Sequence, residues 1–256
     1  MKILVCYKWV LDESDITVDS DGKALNTRRA KAKISEIDRN ALELGTTLKT
    51  DGGELVALTA GKDVKASVKE VLSRGADAAY YIETGEKAES SVAARLLSRA
   101  IQKLGPFDVI ICGEGSSDEY SQQVGPRLAG LLGYHLITYA SAVEKQGDQL
   151  TVTRKLENGI ETIGVSSPVV LTVVSELNDP KVPGMKQILS ARKKPSKELN
   201  AESLELSQID TASSVKTILV GPSIMERKRI RLNDGDTPVQ KSVEQLVQRL
   251  KEEKII

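Results

Sequence analysis

Two hydrophobic periods alternate along the first two-thirds of the chain. Residues 2–7 (KILVCY), 54–59 (ELVALT), 79–82 (AYYI) and 107–112 (FDVIIC) are near-continuous apolar runs, the pattern of strands buried on both faces. Between them, residues 36–49, 63–74, 90–103 and 122–132 carry the spacing of amphipathic helices, and Gly75 follows the second of these as a C-terminal stop. The order reads βαβαβαβ. It predicts an α/β fold, a doubly wound parallel sheet of the nucleotide-binding kind with helices on both faces.

The character then changes. Residues 149–155, 160–165 and 168–174 read as strands joined by short turns, one of them Glu157-Asn158-Gly159. Asn-Gly between strand-like runs is a hairpin signal, so an antiparallel hairpin is expected at the edge of the sheet. From about 177 periodicity fails. "LNDPKVPGMKQILSARKKPSKELN" holds three prolines and six Lys or Arg residues, and 201–240 stay polar apart from a predicted strand at 216–220 (KTILV). A last amphipathic helix, roughly 241–253, puts Val243, Leu246, Val247 and Leu250 on one face. These patterns divide the chain into a core, 1–176, and an extended C-terminal arm, 177–256. So long a weakly self-supporting stretch is expected to lie on another subunit.

Composition narrows the function. With 36 basic against 36 acidic residues and only 3% aromatics, nothing favours wholesale binding to nucleic acid, and little is available to stack on bases. No apolar run reaches the roughly 18–20 residues that cross a bilayer, so no membrane insertion is expected. The N-terminal run reads as a first strand and not as a signal peptide. Cys6 and Cys112, the two cysteines, sit in strand-like segments and read as buried thiols, and the expected compartment is the cytoplasm.

The densest candidate for chemistry is "CGEGSSDEYSQQVGPRLAG", 112–130, a small-residue loop between a strand and a helix. Gly113 and Gly115 allow tight turns, and Ser116, Ser117, Ser121, Gln122 and Gln123 offer hydroxyl and amide partners. Gly125 permits close approach, and the helix N-terminus adds partial positive charge. Neither the P-loop spacing nor G-x-G-x-x-G is present. The residues alone leave two readings, a phosphate-binding loop or a surface turn. Thr59-Ala60-Gly61-Lys62 is a similar turn one strand over. Ser35-Glu36-Ile37-Asp38 opens a helix, and by itself reads as a capping device. His135, the single histidine, has no nucleophile elbow near it, and no metal-ligand cluster is evident, so the chain shows binding equipment without acid–base equipment. The basic run from Lys186 to Lys197 reads as a solvated or partner-facing loop.

Four segments together resemble the β subunit of electron transfer flavoproteins. They are "ILVCYKWV" at 3–10, "ISEIDRNALE" at 34–43, "CGEGSSDEYSQQVG" at 112–125, and the long stretch from 152 to 195 that runs through the hairpin to "ARKKP". The S-S-D-x-Y-x-Q-Q-V-G form of the loop, with the tail "ERKRIRLNDGD" at 226–236, is most similar to the branch associated with carnitine reduction and nitrogen fixation.

The resemblance implies a heterodimer with an α subunit that holds the redox-active FAD, and electron transfer from an acyl-CoA dehydrogenase-type partner to a downstream acceptor. It also implies a nucleotide pocket. Carried onto this chain, that pocket takes Cys6, Ser35, Glu36, Ile37, Asp38 and Ala60, then Asp118, Glu119, Tyr120 and Ser121. It continues through Gln122, Gln123, Val124, Gly125, Pro126, Arg127, Leu128 and Ala129. The ligand is expected to be AMP or, alternatively, a second FAD; Glu119 and Gln122 stand where bifurcating relatives have Gly and Ala, and their size favours AMP. A partner-recognition loop falls on about 174–196, with Met185 as its apolar anchor. The family's Asn-Pro becomes Ser35-Glu36, and two aromatic positions become Ile37 and Glu13. The rival from another class is a nucleotide-binding regulatory module with no redox role; an ATP-using hydrolase or ligase lacks a phosphate-directed lysine motif.

Overall fold

The computed structural model describes residues 1–20, 22–49, 52–86, 88–147, 149–223, 229–232 and 238–256. In chain order, β1 (Lys2–Cys6) and β2 (Trp9–Leu11) precede two short strands, β3 (Thr17–Val18) and β4 (Leu25–Asn26). Then come β5 (Ala32–Ile34), α1 (Glu36–Leu48), β6 (Glu54–Gly61), α2 (Val68–Ser73), β7 (Ala78–Glu83), α3 (Ser90–Leu104), β8 (Val109–Gly113) and α4 (Val124–Leu132). The later elements are β9 (His135–Gln146), β10 (Gln149–Leu156), β11 (Gly159–Ser166), β12 (Val169–Val173), α5 (Met185–Ala191), β13 (Ser196–Glu198), α6 (Gln208–Thr211) and α7 (Val239–Glu252).

Among the described residues, the main sheet has nine strands in the order β11-β10-β9-β12-β8-β1-β6-β7-β13. From β9 to β13 every pairing is parallel, while β10 pairs antiparallel with both β9 and β11. This is the α/β, mostly parallel architecture the alternating periods predict, with the hairpin at its edge. Register places Leu156 opposite Gly159, so the turn itself is Glu157-Asn158.

Period-2 geometry explains why the strands read as unbroken apolar runs. Along β1, Ile3 and Val5 pack with Ala41, Leu42 and Leu44 of α1 and with Val71 and Leu72 of α2. The intervening Leu4 and Cys6 pack on the other face with Leu96 and Leu97 of α3 and Leu128 of α4. Neither face is free to be polar. The helix read at 63–74 begins as a 3₁₀ turn at Val64–Ser67, and Gly75 closes it at φ +118° against Thr46. A Cβ at Gly125 would sit 2.3 Å from Thr172 Cγ2, so glycine lets the start of α4 lie directly on β12.

Three features differ from the sequence expectation. β9 is a twelve-residue strand for which the sequence pattern predicts no element, because Thr138, Ser141, Glu144 and Lys145 interrupt any apolar run. The strand expected at 216–220 does not form; Ile218, Leu219 and Val220 are exposed and belong to no helix or strand, with no ladder partner among the described residues to convert β propensity into a strand. Two small antiparallel pairs, β2 with β5 and β3 with β4, are too short to leave a periodic signal.

The chain divides into two compact units, Met1–Val220 and Gly221–Ile256. Residues beyond 176 therefore contribute to the first unit. β13 adds to β7, Leu199 and Leu204 are buried in the cluster beneath α3, and Lys194 Nζ donates to the Leu72 and Ala76 carbonyls, 3.1 and 2.6 Å away, at the end of α2. In the second unit α7 is amphipathic, with Val239, Val243, Leu246 and Val247 exposed. The tail motif at 226–236 lies largely outside the described residues.

Candidate functional site

The chain runs outward from β1 through β6 to β7 and then returns to β8 on the opposite side of β1. That reversal opens a crevice at the carboxyl ends of β1 and β8, where open α/β sheets receive ligands. A pocket occupies this place. Cys6, Tyr7 and Lys8 come from the end of β1, Asp38 from α1 and Ala60 from β6; Cys112 and Gly113 end β8, Glu114 through Ser116 follow it, and Ser121 through Val124 lead into α4. The remaining wall is Ala88, Ser90, Ala93 and Leu97, at and before the first turns of α3.

The N-terminus of α1 fastens the floor. Ser35 holds the N-cap position but its side chain caps nothing in the helix; Ser35 Oγ instead accepts from the Ser117 N–H at 3.2 Å, and its own N–H donates to the Lys8 carbonyl at 3.0 Å. Asp38 Oδ2 accepts from the Lys8 N–H at 2.8 Å and Oδ1 from the Gly113 N–H at 2.9 Å. The capping reading of Ser35 and Asp38 is corrected by these bonds: the pair ties α1 to the ends of β1 and β8. Burial pushes the Asp38 carboxyl up to about 7, against the two backbone N–H groups and Lys8, which favour its charge. Cys6 and Cys112 are free thiols on neighbouring strands, and the hydrogen bond between them, followed by burial, raises Cys6 well above its ordinary value. Cys6 is therefore a poor nucleophile.

The loop from β8 to α4 is built around two left-handed residues, Tyr120 at φ +47° and Gln122 at φ +56°. Non-glycine residues adopt this conformation sparingly, and a left-handed residue followed by right-handed Gln123 turns successive N–H groups toward one concave side. Ser121 Oγ and Ser90 Oγ are 2.8 Å apart, which brings the starts of α3 and α4 to the same wall. Tyr120 donates to Glu114, and that bond, then burial, pushes its phenol up to about 12. Two buried hydroxyls have no hydrogen-bond partner, Thr59 Oγ1 next to Ala60 and Ser117 Oγ next to Ser116, but neither residue lines the pocket. Two helix N-termini, a concave turn and the wall hydroxyls of Ser90 and Ser121 are what an anionic, hydroxyl-bearing ligand requires.

Of the residues expected at the site, the pocket takes Cys6, Asp38, Ala60, Ser121, Gln122, Gln123 and Val124. Ser35 supports the loop from behind, and Glu36 is turned to Lys33 Nζ at 2.9 Å. Ile37 packs near Gly113, and Asp118 and Glu119 bind Lys8 on the outer side of the loop. Arg127 orients Gln123 through two bonds to its Oε1, of 3.0 and 2.8 Å. Gly125, Leu128 and Ala129 are packing residues of α4, while Tyr120 and Pro126 lie outside the lining. His135 opens β9, exposed and away from the pocket. Sequence reasoning missed the wall from α3; the small residues Ala88, Ser90 and Ala93 at a helix start were its signal. Met185 opens α5 with its side chain exposed.

Residues 23–204 match the family model of the electron transfer flavoprotein domain. The chain belongs to that family. The match covers the elements from β4 to β13, which is the main sheet without β1, together with most of the pocket. Membership makes this an electron-transport protein of a flavin-associated family. Among the described residues no group of His, Cys, Asp and Glu could hold a metal ion, and no helix is long and apolar enough to cross a membrane.

Proposed function

We propose that this electron transfer flavoprotein chain is the β subunit of a heterodimer. It carries electrons between an acyl-CoA dehydrogenase-type donor and a downstream acceptor, with AMP in the pocket described above. The redox-active FAD belongs to the α subunit and supplies the electron chemistry; this chain clamps its partner and presents a docking helix. The observation that carries the reading is the pocket at the strand-order reversal, whose donors are helix N-termini and hydroxyls. The Cys6 thiol in it is held protonated and the Asp38 carboxyl is committed to two backbone N–H groups, so a bound nucleotide is held there and not turned over.

The choice of AMP over a second FAD rests on Gln122. Its backbone is fixed in the left-handed region and its side chain lines the pocket, where a smaller residue would leave room beyond the phosphate. Glu119, the other large residue at the loop, is engaged by Lys8. The test is acid extraction of the purified heterodimer. One AMP and one FAD per dimer are expected; two FAD and no AMP would overturn the ligand, and a colourless chain without a flavin partner would favour the regulatory-module reading.

A further inference from the structure

The loop between β8 and α4 touches the pocket at both its ends but not at its crown. Gly113–Ser116 and Ser121–Val124 form wall, whereas Ser117–Tyr120 stand outside it. Lys8, at the end of β1, reaches from the pocket to that crown. Its Nζ lies 2.8 Å from Asp118 Oδ1, 2.9 Å from Glu119 Oε2 and 3.4 Å from Ser116 Oγ. We infer that Lys8 is the positioning residue that latches the crown joining these two stretches of pocket wall, so that moving the walls apart for ligand exchange requires the ammonium to release both carboxylates.

Other bonds hold the two ends. The Gly113 N–H is fixed by Asp38, the Ser117 N–H by Ser35 Oγ, and Ser121 by Ser90. Ser117 is the first residue of the crown and Tyr120, its last, donates to Glu114; between them Lys8 binds the successive acidic residues Asp118 and Glu119. Its backbone is equally constrained, donating to Asp38 and accepting from Ser35. A shift of the crown therefore has to break the ammonium contacts before it strains β1. The side chains of Lys8, Asp118 and Glu119 are 29%, 22% and 44% exposed, so salt reaches and weakens the pairing. Engagement of Lys8 by two carboxylates also leaves anion recognition to the N–H groups around Gln122–Val124.

This inference uses the proposed nucleotide as a probe, but its first test does not need it. Amide exchange of the full-length chain should quicken about three- to tenfold within 114–123 in Lys8→Met, the scale of losing two half-exposed ion pairs. Glu119→Gln should give a smaller increase, and Lys8→Arg, which can fork to both carboxylates, should restore protection. Residues 2–6 and 36–48 should keep their wild-type exchange in all three. Unchanged exchange at 114–123, or an equal rise throughout β1 and α1, would overturn the latch. In a second test, AMP release from wild type should accelerate with added salt, and that dependence should flatten in Lys8→Met; parallel salt curves would count against it. If AMP does not bind the wild type at all, the proposed ligand falls while the exchange result still decides the latch.

Discussion

Asp38 shows most directly how one side chain can be committed twice. Its carboxylate bridges the N–H groups of Lys8 and Gly113, which belong to the ends of two different strands, and it is almost fully buried while doing so. The carboxyl ionises near 3.8 when unfolded and near 7 in the fold, with burial as the main cause. Between those values the native chain holds the extra proton. The stability that Asp38 contributes is thus full below about 3.8 and is lost as pH rises through about 7. Asp38→Asn removes that titration. The stability of wild type relative to the variant, followed as urea midpoints, should fall across this window and level off above it; a constant gap from pH 4 to 8 would show that Asp38 ionises normally. The residue itself was legible as special, being an acid three positions after a serine at a helix start. Its role was not, because capping is a local pattern and the real partners lie 30 and 75 positions away in sequence.

At the scale of elements, periodicity predicted what is buried on a face and failed where burial is partial. β1, β6 and β8 were readable because both faces are packed. β9 was not, since its first and last residues are exposed, and the apolar run at 216–220 has the composition of a strand without a neighbour to pair with. The pocket wall from α3 was hidden for a different reason: small residues at a helix start carry little signal until a second helix is brought against them. In α5, Met185, Ile188 and Leu189 share a face by i, i+3, i+4 spacing, and all three are exposed. An exposed apolar face on a seven-residue helix amid basic residues fits the docking role proposed for this segment, with Met185 as an adaptable anchor. Met185→Ala should slow electron transfer with the dehydrogenase partner by roughly five- to tenfold, the loss of one anchoring contact, while the flavin absorbance of the heterodimer stays unchanged. Loss of flavin, or an unaltered rate, would move Met185 out of the interface.

For the molecule as a whole, the question is how much of the region beyond 176 depends on a partner. Composition alone suggests all of it does. The first unit, however, extends to Val220, and its later part is fastened by several kinds of contact. β13 completes the sheet, and Leu199 and Leu204 enter the core. Asp210 accepts from Ser207 to open α6 and pairs with Arg99 of α3 at 3.3 Å, while Arg95 donates to the Ala212 carbonyl at 2.5 Å. Beyond Ala212 the described chain up to Ser223 has no helix or strand, and Val215, Ile218 and Leu219 are exposed. Cleavage requires an accessible, locally unpaired backbone. Brief trypsin treatment of the isolated chain should therefore cut first at or after Lys216 and leave a fragment that begins at Met1 and retains 177–212. The Lys194–Pro195 bond is no trypsin site, so this run is tested at Arg192, Lys193 and Lys197, which should survive because Lys194 binds the Leu72 and Ala76 carbonyls and β13 pairs with β7. In the heterodimer the cut near 216 should be suppressed if the segment after 212 is what rests on the partner. Early cleavage between 181 and 197 would show that the recognition helix and β13 also need the partner to hold them. Equal cutting near 216 with and without the partner would show that the last part of the arm lies elsewhere than on the interface.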